Sequence, residues 1–162
     1  MILLVVCASL FFTSFFGYLV HRLLHVTWAG PLYRAHMNHH LIEYPPYRLV
    51  TSSYRRTKWY NSGTFLFTPP LVCLLVLIGG LLTWAGVALW VTAVFAVIMI
   101  SFAVSNDVIH DSFHIENCRL QRFGWWRRKQ AQHFIHHRNM KRNYGIISFE
   151  FDRSFKTFKD SQ

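Results

Sequence analysis

Ten histidines stand in four clusters, and their spacing suits metal ligation. His21 and His25 bound HRLLH, and His36, His39 and His40 form HMNHH. Near the other end His110 and His114 bound HDSFH, and His133, His136 and His137 form HFIHH. On a helix of about 3.6 residues per turn, positions i, i+3 and i+4 share a face, so each cluster can aim imidazoles at one point. One HxxxH pair alone reads as two ordinary helix-end histidines; two matched sets that use every histidine in the chain do not. The adjacent pairs His39-His40 and His136-His137 diverge enough to serve different metals. Imidazole suits zinc, copper, iron and nickel. A structural zinc is closed by four ligands, whereas ten histidines in two sets point to two metals with four or five imidazoles each. The nearby carboxylates are Glu43, Asp107, Asp111 and Glu116. Asp111, beside His110, is the one best placed to orient a ligand imidazole.

The elements that must position these residues are apolar. All 17 Lys and Arg and all seven Asp and Glu lie within residues 22–63 or 107–162. Charge confined in this way is the pattern of a membrane protein, in which charged side chains stay in water. The expected fold is therefore an all-α integral membrane protein, a single domain over residues 1–162 with about three transmembrane helices at 2–20, 64–83 and 86–106. The first apolar stretch has no basic n-region and no clear cleavage site, and is read as a retained helix. Thr64 to Asn106 is long enough for two spans, with a turn between Gly79 and Gly86, provided Pro69-Pro70 is absorbed near the start of the second. Three spans put residues 21–63 and 107–162 on one side. The positive-inside rule makes that side the cytoplasm, because these regions hold 6 and 11 basic residues and the opposite turn holds none.

Between the spans, Gly30-Pro31 breaks the chain before a short helix that carries His36, His39 and His40 and ends at Pro45-Pro46. Trp59-Tyr60 suits an interfacial aromatic belt. A basic helix from about Phe123 to Met140, with Trp125, Trp126 and Phe134 among its arginines, is expected to lie at the interface with its apolar side toward lipid, and HFIHH gives it a ligand-bearing role as well. Cys7, Cys73 and Cys118 form no CxxC pattern and read as packing residues or inert thiols. The net charge of +10 does not indicate nucleic-acid binding, since no zinc-finger spacing or RNA-binding motif accompanies it. Nothing reads as a haem, flavin or nucleotide site, so any redox chemistry would draw electrons from a partner. The excess of basic residues would steer an acidic one.

HRLLH, HMNHH, HDSFH and HFIHH, followed by NYGIISFEFDR, resemble the fatty acid hydroxylase and sterol desaturase superfamily of membrane-bound di-iron oxygenases. The resemblance runs from about residue 18 to 158. Asn143-Tyr144-Gly145 and Phe151-Asp152-Arg153 are similar to that family's Asn-Tyr-Gly and Trp-Asp-Arg endings. Val26 stands where many members have a further histidine, and Lys156-Thr157 replaces Gly-Thr. The resemblance implies that all ten histidines are metal ligands, supported by Asp111, Glu43 and Asn143. It implies two iron ions, which zinc can replace in a purified sample, with O2 as co-substrate. The implied reaction hydroxylates or desaturates a C–H bond of a lipid such as a fatty acyl chain or sterol, with electrons from a ferredoxin or a cytochrome b5-like donor. His110-Asp111 and the compact size look equally like the carotenoid ring hydroxylases. A non-catalytic metal-binding membrane protein is the alternative of another class. Against transport, the expected spans contain no charged residue and no histidine.

Overall fold

The computed structural model describes residues 2–54 and 63–160, with only the helical backbone described for 63–69. Among the described residues there are six α-helices: α1 Ile2–Leu23, α2 Pro31–Asn38, α3 Gly63–Trp84, α4 Leu89–Phe113, α5 Gly124–Arg138 and α6 Glu150–Ser154. No strand is present among the described residues beyond an isolated bridge between Thr51 and Ile115. The all-helical expectation is met.

Helices α1 and α4 are long and apolar enough to cross a membrane, while the described apolar part of α3, Pro70–Trp84, is shorter. Their outer faces leave Leu4, Phe11, Val97 and Val104 exposed, as residues facing lipid tails would be. Inside, Leu71 of α3 packs on Phe95 and Met99 of α4, with Phe16 of α1 against them. Helix α3 runs unbroken through Pro69-Pro70 and through Gly79-Gly80. The expected turn at Gly79 to Gly86 is thus shorter and later: it occupies residues 85–88, and Gly86 at φ 74 supplies the left-handed step.

Both long apolar helices overrun their expected ends. Helix α1 extends past His21, and α4 continues to Phe113 through Asp107 and His110. The expected span ends are therefore too short as helix ends, and the added last turns carry ligand-type residues into the polar part of the molecule. Trp59-Tyr60 lies outside the described residues.

The polar part is organised by α5, and here a second expectation fails. Trp126 does not face lipid but is fully buried, with its ring edge-on to Phe113 at 5.3 Å and its indole N–H donating to Ser112 Oγ at 2.9 Å. Ile146 completes that core. Trp125, its neighbour in sequence, is 44% exposed. The reason is rotation: Trp126 shares its face of α5 with His133 and His137, seven and eleven residues on, and that face is turned inward.

Candidate metal centre

All ten histidines converge, in two groups of five. His21, His25, His36, His40 and His136 form one group, and His39, His110, His114, His133 and His137 form the other; within each, one ligand atom per residue lies within 4.8 Å of all the rest. Each group draws on both halves of the chain. In HMNHH, His36 and His40 join the first group and His39 the second, and in HFIHH, His133 and His137 join the second and His136 the first. In both motifs the i, i+4 pair serves one group and the histidine between them serves the other. At His39–Glu43 the helix widens to a π turn, closed by Tyr44 N–H to His39 O at 2.9 Å. Such turns mark functional positions in many helices. The groups adjoin, with the rings of His40 and His137 centred 4.1 Å apart.

The donor set fits metal ions. In the first group Nε2 of His25 stands 3.0 Å from that of His136 and 3.1 Å from that of His36, which is 3.1 Å from that of His40. In the second, Nε2 of His114 and His133 are 3.0 Å apart. A metal about 2.1 Å from each nitrogen puts neighbours at right angles about 3.0 Å apart, and tetrahedral neighbours about 3.4 Å apart. The observed edges match the former. Nε2 of His39 and of His137 are buried without a hydrogen-bond partner among the described residues, a cost that a bound cation would remove.

Protonation agrees. The eight imidazoles outside the long apolar helices are all held below their ordinary value, first by burial and for most also by neighbouring histidines. His25, the least enclosed, falls from 6.5 to about 4. Near neutrality these are uncharged rings with a free lone pair.

Backbone carbonyls decide which nitrogen keeps it. A carbonyl only accepts, so the Nδ1 facing one carries the proton and Nε2 is left for a metal. His21 Nδ1 donates to Tyr144 O, and His136 Nδ1 to Arg142 O at 2.7 Å. His114 Nδ1 donates to Leu49 O at 2.8 Å and His137 Nδ1 to Tyr44 O at 2.9 Å. Of the expected supporting side chains, Asp111 Oδ1 stands 3.4 Å from His110 Nδ1 and Glu43 Oε2 3.7 Å from His39 Nδ1. Asn143 instead bonds the backbone of Gln132 and Lys159. Sequence reasoning missed the four carbonyls, which no side chain signals, and Asp152, whose role emerges only from the loop it holds.

A partly open cleft runs between α1, α3, α4 and the loop at residues 144–148 to His21. Thr13, Gly17 and His21 line it at one-turn intervals along α1, opposite Phe102 and Ala103 of α4. It is an apolar passage reaching the first histidine group from the side of the long helices.

A helical protein whose apolar helices end in twin five-histidine groups, with a cleft reaching the first of them, defines a class of membrane-associated protein built to hold metal. The fatty acid hydroxylase family model matches residues 6–157, and the chain belongs to that family. No curated protein and no solved structure matches it.

Proposed function

We propose that this chain is a membrane-embedded di-iron oxygenase that hydroxylates or desaturates a C–H bond of a lipid. The observation that carries this is the convergence of ten buried histidines into two adjoining groups, one of them at the end of an apolar cleft. Two irons held there would supply the activation of O2 that attack on an unactivated C–H bond requires. The protein's own residues do the rest. Five imidazoles hold each site, carbonyls of Tyr144, Arg142, Leu49 and Tyr44 fix four of them in the tautomer that offers Nε2, and the cleft takes an acyl or sterol skeleton laterally from the bilayer. Asn106, Asp107 and Tyr144 line the cleft near His21 and set where the substrate's reacting carbon stops.

In this reading α3 is the third span, and residues 21–63 and 107–162 face the cytoplasm. An acidic electron carrier of the ferredoxin or cytochrome b5 kind docks on that basic surface. The test is expression in a host lacking the activity, with lipid analysis under 18O2. A hydroxylated lipid bearing one labelled oxygen, or an unlabelled lipid with a new double bond, absent with His136→Ala, is expected. An unchanged lipid profile with a metal-loaded, donor-supplied protein would overturn the proposal.

A further inference from the structure

The segment from residue 142 to 159 contains no histidine, yet it governs two members of the first histidine group. His136 donates to Arg142 O and His21 to Tyr144 O. Each of those carbonyls belongs to a planar peptide unit whose other end is the next residue's N–H. The Arg142–Asn143 unit is held at its N–H by Thr157 O at 3.1 Å. The Tyr144–Gly145 unit is held at its N–H by Asp152 Oδ2 at 2.7 Å. Asp152 is fully buried, and its Oδ1 accepts from Tyr144 N–H at 2.8 Å and from the Thr157 hydroxyl at 2.7 Å. A carboxylate on a peptide N–H polarises the carbonyl at the far end of the same unit, so the chain of contacts runs carboxylate, peptide, imidazole.

The loop is shaped for this one arrangement. Asn143 sits in the left-handed region at φ 54, which turns the carbonyls on either side of it toward histidines on different helices. A Cβ at Gly145 would lie 2.0 Å from Ser148 O, so only glycine lets its N–H come this close to Asp152. Among the described residues, the two carbonyls that hold the second histidine group are fixed differently. His137 hangs from Tyr44 O, and the nitrogen of that peptide unit belongs to Pro45 and carries no hydrogen. His114 hangs from Leu49 O, in a loop anchored by the Thr51 bridge to the end of α4.

We infer that Asp152 is a positioning residue for the first histidine group alone, acting on His21 through the Tyr144–Gly145 peptide, so that the two metal sites are supported independently. This rests on the metal-centre reading above. Partners of this rank alter metal affinity by about 10- to 100-fold.

The experiment is titration of the metal-free, detergent-solubilised full chain with cobalt(II), followed by its visible ligand-field bands and by metal per chain after gel filtration. Wild type should take up two equivalents. Asp152→Asn keeps the shape but replaces one accepting oxygen with an N–H2 that cannot face an N–H. It should weaken one equivalent about 10- to 100-fold and leave the other, with its bands, unchanged. Thr157→Val removes a bond to the same carboxylate while leaving both peptide bonds to it, and should titrate as wild type. Two wild-type equivalents in Asp152→Asn, or loss of both together, would overturn the inference, the second by showing that Asp152 only supports the fold. A wild type that takes up no cobalt would instead overturn the metal-centre reading itself.

Discussion

Replacing Trp126 separates a core anchor from an interfacial one. The side chain is fully buried between the end of α4 and α5, packs edge-on against Phe113 and donates to Ser112 Oγ. Truncating a buried tryptophan to alanine costs about 3–5 kcal/mol. For a chain of this length each kcal/mol is worth about 2–4 °C, so Trp126→Ala should lower the thermal midpoint by about 6–20 °C. Because Trp126 shares its face of α5 with His133 and His137, the same variant should also weaken metal uptake by the second histidine group. Trp125, 44% exposed, is the internal control, and its alanine variant should stay within about 0.5 kcal/mol of wild type. The assay is thermal unfolding of metal-free protein in a mild detergent, with both variants in parallel. Equal midpoints for the two would refute the buried assignment and restore Trp126 to the membrane interface.

Other consequences are as direct. Gly17 lines the cleft and a Cβ there meets nothing within 4 Å, so Gly17→Leu should fold, keep both metals and lose turnover of bulky lipids; wild-type turnover by this variant would show that the cleft is not the substrate path. The eight buried imidazoles outside the long apolar helices are held below their ordinary 6.5, so the unfolded state takes up more protons as pH falls below that value. Metal-free protein should therefore hold its full stability above pH 7 and lose it progressively toward pH 4, where His25 itself titrates. A thermal midpoint unchanged between pH 7.5 and 5 would contradict this. In a background with Cys7, Cys73 and Cys118 replaced, a cysteine at Ala88 should label from outside the cell and one at Arg119 only after permeabilisation. Labelling of both from one side would contradict the three-span arrangement.

Much of the site could be read from the chain because histidine spacing is a local property. HxxHH puts its members on one helical face with an adjacent pair free to diverge toward different metals, and the structure resolves both copies by sending the i, i+4 pair to one group and the histidine between to the other. Trp126 was beyond such reasoning: a tryptophan beside Trp125 and ahead of three basic residues has the composition of an interfacial anchor, and only the packing of α5 against Phe113 turns it inward. The carbonyl partners were illegible for a different reason. Backbone atoms have no sequence signature, and the contact between Tyr144 O and His21 spans most of the chain. The π turn at His39–Glu43 was hidden similarly, since widening a helix by one residue leaves its composition unchanged.

The central claim, that ten histidines form two adjoining metal sites, is tested most directly by counting metal. Protein purified from an iron-supplemented host should contain two ions per chain by elemental analysis, and His136→Ala and His114→Ala, each taken from a different group, should each reduce that number toward one. Full metal content in both variants, or a wild type holding one ion or none after anaerobic loading with iron(II), would contradict it.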